Sequence, residues 1–212
     1  MNTVTVIETQ MKRKGRVKVF LDRGLAFSLS LPVAAEVGLH KGQTLSLPEI
    51  ERLKSADQLH RSMNSALKFM SPRPRSEAEI RARLNRHGFD ADTIQQVLTK
   101  LKEQGLVDDI AFARFWRENR ETFKPLSRRL IELELKQKGV DAETIAETTT
   151  GIDDEPSAYR AAEKKARSLE RLDYPSFRKR LGAFLKQRGF NYELINRTID
   201  RIWQERDNAQ PN

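Results

Sequence analysis

Two adjacent carboxylates, Asp108 and Asp109, are the residues in this sequence most suggestive of chemistry. Paired carboxylates can bind Mg²⁺ or act as a general acid and base. No third ligand follows at a metal-binding spacing, and both residues stand where a helix is predicted to begin. Unpaired backbone amides at a helix start stabilise carboxylates. We therefore expect the pair to cap a helix; the alternatives are a partner contact and a metal site.

Other catalytic or cofactor-binding patterns are missing from the sequence. The three histidines, His40, His60 and His87, lack metal-ligand spacing, and the chain has no cysteine. There is no phosphate-binding glycine loop and no G-x-S-x-G motif. Because no nucleophile, base and electrophile occur together, we expect no enzymatic activity, no metal and no cofactor.

Basic side chains are better candidates for a function. They recur on the second helix of each of three predicted units, and stacking of the units would align them in a stripe. Such a stripe would suit DNA phosphates or an acidic protein surface, although Lys and Arg also favour ordinary solvated helix faces. The candidate partner-binding residues are Arg81, Arg83, Arg86, Arg128, Arg129, Lys136, Lys138, Arg178, Lys179, Lys186 and Arg188.

The net charge of the chain also favours a binding function. The chain of 212 residues has a formal charge of +9. The positive charge lies towards both ends, because residues 125–172 hold 9 basic and 10 acidic residues. A basic protein of this kind is a candidate for binding nucleic acid, or a partner that holds nucleic acid. The alternative is solubilising charge on a helical surface.

A repeated string positions these basic helices. It reads LNRHGFDADTI at 84–94, LKQKGVDAETI at 135–145 and LKQRGFNYELI at 185–195, with glycines 51 and 50 positions apart. A period of this length indicates a stacked supersecondary unit and an extended binding surface. Each glycine should end one helix in a Schellman motif, pairing Leu84 with Phe89, Leu135 with Val140 and Leu185 with Phe190. Asp90, Asp141 and Asn191 should then cap the next helix.

The rest of the chain divides into a strand-rich start and a helical remainder. Alternating and β-branched residues predict strands at 4–10, 16–21 and 25–31, with a hairpin turn at 22–24. Helical periodicity begins near Ser55 and gives nine helices in three groups, forming an elongated array. The predicted domains are a small antiparallel β unit at 1–50, helical repeats at 55–106, 107–152 and 153–206, and a disordered tail at 207–212. The threonine run at 148–150 predicts a short or frayed helix.

The helical part resembles the RecX family of bacterial recombination regulators. The resemblance rests on RSEAEIRARLNRHGF at 75–89 and LKEQGLVDDIAFA at 101–113, followed by KQKGV and KQRGF. It covers about 57–203, and the first fifty residues are similar only to variable N-terminal extensions in the family. The sequence departs from the family pattern at Val107, where leucine is usual, and in its threonine run, where apolar residues are typical.

This resemblance implies tandem three-helix repeats without catalytic activity. It also implies binding along the groove of the RecA nucleoprotein filament, with inhibition or modulation of RecA's ATPase, strand-exchange and coprotease activities. Direct binding to single- or double-stranded DNA would be a weaker property. We expect a cytoplasmic monomer with no membrane partner. The alternatives are a stand-alone DNA-binding helical protein with no sequence preference and a helical scaffold for another protein.

Overall fold

The computed structural model describes residues 2–10, 15–24 and 26–209, which form two compact units. The first unit comprises Met1–Pro74 with Glu79–Val107. The second comprises Arg75–Ala78 with Asp108–Asn212. The fold is mainly helical and begins with an antiparallel sheet, as the sequence predicts.

Four antiparallel strands make the sheet at the start of the first unit. They are β1 (Asn2–Thr9), β2 (Arg16–Leu21), β3 (Ala26–Ser30) and β4 (Thr44–Leu45), in the order β3-β2-β1-β4. Alternate residues of β2 are buried, which is the pattern of a strand with one covered face. The predicted hairpin turn is confirmed: Gly24 has φ of 74° and donates its N–H to Leu21. A short helix, α1 (Leu31–Glu36), follows β3.

The sheet packs on a helix that begins earlier than the sequence analysis predicts. This helix, α2 (Leu47–Met70), starts eight residues before Ser55. Ser46 caps it in a capping box with Glu49, and a proline lies in the first turn. The motif Ser-Leu-Pro-Glu could have indicated this start. Ile50 and Leu53 of α2 join the buried residues of the sheet in one apolar core.

Within the described residues, nine helices from α2 onward form the three predicted groups. Each group buries its own apolar cluster. The helices after α2 are α3 (Glu77–Arg86), α4 (Ala91–Glu103), α5 (Asp109–Phe123), α6 (Arg128–Gln137), α7 (Ala142–Thr149), α8 (Asp154–Ala166), α9 (Tyr174–Gln187) and α10 (Tyr192–Ala209). A 3₁₀ turn, Arg167–Leu169, extends α8.

All three predicted Schellman turns are present. The N–H groups of Phe89, Val140 and Phe190 donate to the carbonyls of Leu84, Leu135 and Leu185, at 3.2–3.3 Å. The preceding glycines have φ between 77° and 86°, the left-handed region that glycine tolerates. The predicted caps are confirmed as well, since Asp90, Asp141 and Asn191 each accept a backbone N–H three residues on. The backbone and the side-chain hydrogen bonds from Thr93 lower the pKa of Asp90.

Helix α7 is short, as predicted, and Thr148 and Thr149 are buried at its end with hydroxyls bonded to carbonyls one turn back. Helix α10 continues through Asp207 to Ala209, so these residues are helical rather than disordered. The remaining tail, residues 210–212, lies outside the described residues.

Candidate binding surface

The Asp108–Asp109 pair caps two different helices. Asp108 accepts the N–H groups of Ile110 and Ala111 at the start of its own helix, at 2.8 and 3.0 Å. Asp109 instead accepts the N–H of Glu77, the first residue of α3, at 2.9 Å. In the described ranges no group of three or more histidine and acidic residues could hold a metal ion. The hydrogen bonds of Asp108 and Asp109 confirm that this pair caps helices.

A second pair repeats the arrangement one unit later. Asp153 accepts the N–H of Glu155 in its own helix at 2.9 Å. Asp154 accepts the N–H of Arg128, the first residue of α6, at 2.7 Å. The first helix of the third repeat thus supplies a cap for the second helix of the second repeat. Capping of this kind fixes where one basic helix begins relative to the next unit.

Hydrogen bonds beside the repeated glycines connect the second helices of consecutive repeats. Ser127, the N-cap of α6, donates its N–H to the carbonyl of Arg188 at the end of α9, 2.9 Å away. Correspondingly, the Ser76 hydroxyl donates to the carbonyl of Lys138 at 2.6 Å. A Cβ at Gly189 would lie 2.4 Å from Ser127 Oγ, so only glycine permits this approach. The arrangement sets α6 and α9 at a fixed separation.

Helices α6 and α7 border an open groove of about 440 Å³ in the second repeat. Arg128, Arg129 and Lys136 line it, and all three are exposed. Leu133 and Ile145 supply apolar surface between them. The groove therefore combines positive charge with an apolar floor.

Helices α9 and α10 border a corresponding groove of about 580 Å³ in the third repeat. Arg178, Lys179 and Lys186 line it and are exposed. These residues stand fifty positions after Arg128, Arg129 and Lys136, so the two repeats place three cations in the same pattern. We call these two sites the basic grooves.

The grooves differ in two residues that matter for binding. Glu132 of the second-repeat groove accepts Arg128 Nε at 2.8 Å and the Thr149 hydroxyl at 3.0 Å, and the corresponding residue in the third repeat is Gly182. Ala142 is replaced by Tyr192, which is 76% exposed. The third-repeat groove is therefore more positive and offers an aromatic ring.

The first repeat has no basic groove at these positions. The aligned residues are Glu77, Ala78 and Asn85, 51 positions before the cations of the second repeat. Arg81 instead donates to Gln95 Oε1 at 2.9 Å, and Arg86 is exposed at the end of α3. The charge that was expected to recur at one place in every unit does so in the second and third repeats.

Three further predicted residues lie against aromatic rings. Arg83, Lys138 and Arg188 stand over Phe69, Trp116 and Phe184, with the cation 5.5, 5.0 and 4.7 Å from the ring centroid. Burial, and then the charge of Arg120, lowers the pKa of Arg188. Lys138 and Arg188 are two residues beyond Lys136 and Lys186, a spacing that places side chains on different sides of a helix. This two-residue spacing is the sequence signal that distinguishes Lys138 and Arg188 from the groove residues.

Four family models cover most of the chain. One is the RecX N-terminal domain, which matches residues 2–46. The others are the first, second and third RecX three-helix domains, which match residues 63–101, 108–148 and 153–199. The chain belongs to the RecX family. The match at 2–46 extends the resemblance into the β unit, where the sequence analysis expected little similarity.

Curated relatives agree with the family models. The "Regulatory protein RecX" of Lactobacillus johnsonii is 33% identical over 205 residues, covering 95% of this chain and 75% of that protein. The RecX of Clostridium perfringens strain SM101 is 28% identical, covering 95% and 97% of the two chains. A crystal structure titled regulatory protein RecX matches with a TM-score of 0.63 and 25% identity, over 94% of this chain and all of that one.

A second solved structure supports the fold. RecX from Lactobacillus salivarius matches with a TM-score of 0.56 at 22% identity, over 69% of this chain and 97% of that one. No helix in the described part of this RecX chain is long and apolar enough to cross a membrane.

Proposed function

We propose that this chain is a non-enzymatic regulator that binds the RecA nucleoprotein filament and modulates its ATPase, strand-exchange and coprotease activities. Membership of a family whose curated relatives are named regulatory proteins supports a regulatory role. The observation that carries the proposed contact is the pair of basic grooves. They present matching cations at a separation fixed by backbone contacts between consecutive repeats.

The composition of the grooves favours a protein-containing target over bare phosphates. Phosphate contacts need cations, but they make no use of an apolar floor. Leu133 is 45% exposed in one groove, and Tyr192 is 76% exposed in the other. Exposed aromatic and aliphatic residues beside Arg and Lys are typical of a protein interface with a charged rim.

The test measures RecA's single-strand-dependent ATPase at increasing concentrations of this protein. Wild type should inhibit at stoichiometric or lower ratios to RecA. The variant Lys179→Glu/Lys186→Glu should need about tenfold more protein for half-inhibition, which corresponds to about 1.4 kcal/mol of binding free energy. The control Lys100→Glu/Arg171→Glu makes the same charge change at exposed residues outside the grooves and should inhibit like wild type.

Two outcomes would contradict this proposal. Wild type without effect on a cognate RecA at low salt would exclude filament regulation. Unchanged inhibition by a folded Lys179→Glu/Lys186→Glu variant, and by the matching Arg129→Glu/Lys136→Glu variant, would exclude the basic grooves as the contact surface. Circular dichroism and thermal unfolding of each variant establish that it is folded.

The net charge of +9 favours one alternative, a stand-alone DNA-binding protein without sequence preference. That function predicts tight binding to bare DNA with a steep dependence on salt. It also predicts no gain in affinity when the same DNA is coated with RecA. Parallel titrations of bare and RecA-coated oligonucleotides at 50 and 200 mM salt distinguish the two functions, because filament regulation requires tighter binding to the coated strand.

A further inference from the structure

Helix α9 has a glycine, Gly182, in its middle, where it lines the third-repeat groove. Glycine is the least favourable residue in a helix interior after proline, because it loses the most backbone freedom on folding. A Cβ at this position would lie 3.5 Å from Ile199 Cδ1 and 3.8 Å from Ile195 Cγ2, which are ordinary contact distances. Alanine would therefore fit here and would favour the helix. The packing of the fold gives no reason for a glycine at this position.

The other two repeats carry long side chains at the same position. Arg81 and Glu132 align with Gly182, at spacings of 51 and 50 residues. Arg81 reaches Gln95, and Glu132 reaches Arg128 within its own groove. The third repeat has no side chain at this position, which leaves an opening in the groove between α9 and α10.

A well-held aromatic ring lines the same groove. The Tyr174 hydroxyl donates to Asp200 at 2.7 Å, and the ring centroid lies 5.2 Å from that of Trp203. A wall that is fixed before binding lowers the entropy lost when a partner docks. The opening, which we call the glycine slot, is lined by Tyr174, Gly182, Tyr192, Ile195 and Ile199.

Cations stand about one helical turn to either side of the glycine slot. Lys179 comes three residues before Gly182 and Lys186 four residues after it, which places all three on one face of α9. Both lysines are exposed. Among the described residues that line the groove, none is acidic. A partner that inserts an apolar side chain into the slot would therefore bring its neighbouring residues against positive charge.

We infer that the glycine slot receives a large apolar side chain from an acidic protein segment, whose flanking carboxylates contact Lys179 and Lys186. The inference rests on the proposed function and adds a specificity-determining residue to it. Opposite charges favour such a segment. A slot that one methyl group would partly fill also selects its occupant by shape. A nucleobase is a poorer occupant, because its polar edges would lie over isoleucine and glycine without hydrogen-bond partners.

Gly182→Ala should change stability and binding in opposite directions. The variant should melt about 2–4 °C above wild type, since alanine favours the helix and contacts two isoleucines. It should nevertheless need about threefold more protein for half-inhibition of RecA's single-strand-dependent ATPase, because its methyl group occupies the slot. A gain in stability that costs binding is expected of a residue retained for function.

Gly182→Leu fills the slot more completely. This variant should need at least about tenfold more protein for half-inhibition than wild type. The control Ala111→Leu introduces the same side chain at an exposed residue of α5 outside the basic grooves and should inhibit like wild type. Circular dichroism and thermal unfolding establish that both variants are folded.

A peptide assay without RecA allows the slot and the proposed function to fail separately. The probe is a helical peptide of about fifteen glutamate and alanine residues with one central leucine. Its matched control has alanine in place of that leucine. The leucine peptide should bind at least about fivefold more tightly than the control, and it should shift the NMR signals of the Gly182 amide and the Ile195 and Ile199 methyl groups. Gly182→Leu should abolish the preference for leucine.

Three results would overturn the inference. The first is wild-type inhibition by a folded Gly182→Leu variant, which would leave filament regulation standing. The second is equal binding of the leucine and alanine peptides. The third is oligothymidylate binding that Gly182→Leu weakens as much as binding of the leucine peptide, since that would identify nucleic acid as the occupant. Absence of RecA inhibition by wild type would instead contradict the proposed function, and the peptide preference would then decide the slot.

Discussion

Asp154 accepts a hydrogen bond from the backbone N–H of Arg128 at 2.7 Å, and this bond joins two successive repeats. The neighbouring Asp153 caps its own helix. Each acidic pair therefore uses one carboxylate locally and the other on the preceding repeat. Because the donor is a backbone group, the link does not depend on the side chain at position 128. The Arg128 side chain is therefore not used by this link. Its guanidinium lines the second-repeat groove and donates to Glu132.

Replacing Asp154 with alanine should loosen a helix that lies 26 residues earlier in the chain. Losing an N-cap costs about 1 kcal/mol. The variant should therefore show faster hydrogen exchange at the first amides of α6, which native-state exchange by NMR would measure. The matched control Asp153→Ala should cost a similar amount of stability but increase exchange at the start of α8 instead. Equal exchange at α6 in both variants would show that the link between repeats does not stabilise that helix.

Gly189→Ala should destabilise the second unit by more than backbone strain alone. Its φ of 86° disfavours alanine by about 1–2 kcal/mol, and the new Cβ would also meet Ser127 Oγ and Leu130 Cγ at 2.4 and 2.5 Å. Gly151→Ala is the control, because Gly151 has φ of 78° but open space around the missing Cβ. Urea unfolding of both variants separates the two costs. Equal losses would mean that the close approach is easily relieved.

Features set by local chemistry could be predicted from the sequence. The Schellman turns and N-caps depend on residues within one turn of each other, so glycine, an apolar pair and Asp or Asn were sufficient to predict them. The early start of α2 depends on equally local chemistry at Ser46 and Glu49. Pro48, in the first turn, is a further local signal for this start.

Features set by packing between repeats could not be predicted in this way. Predicting Arg188 and Lys186 as parts of one binding surface requires that basic residues on one helix face the same side. In the structure Arg188 lies against Phe184, one turn earlier in the chain, and donates to the carbonyl of Pro125. Pro125 belongs to the segment between α5 and α6, which approaches Arg188 only after folding. The cap that Asp109 supplies to α3 depends likewise on a helix start 32 residues away.

A buried ion pair should make the first unit sensitive to acid. Asp57 pairs with Arg16 at 3.0 Å and is 4% exposed. Burial raises the pKa of Asp57, but hydrogen bonds from Ser30 and Arg16 outweigh it, so the pKa lies below its ordinary value. A lowered pKa in the folded state stabilises the fold above the unfolded value of about 4, and that stability is lost as the pH falls through the folded value.

The corresponding variant is Asp57→Asn, which leaves Arg16 without its counter-charge. Breaking a buried pair costs about 3–5 kcal/mol. Urea unfolding of the first unit between pH 3 and pH 6 should show lower stability for the variant at pH 6. The variant should also lose less stability than wild type as the pH falls below about 4. Parallel pH dependence of the two proteins would mean that Asp57 does not control acid sensitivity.

Glu132→Gln should strengthen filament binding, because Glu132 is an acidic residue inside a basic groove. It accepts from Arg128 Nε and the Thr149 hydroxyl, and the corresponding residue in the other groove is Gly182. An amide keeps the hydrogen-bonding shape but removes the negative charge, leaving Arg128 to attract an acidic target. We expect about a threefold lower concentration for half-inhibition of RecA's ATPase, equivalent to about 0.7 kcal/mol. The control Glu118→Gln makes the same charge change at an exposed residue of α5 outside the grooves and should leave inhibition unchanged. Equal gains in both variants would indicate that net charge, rather than the groove, determines affinity.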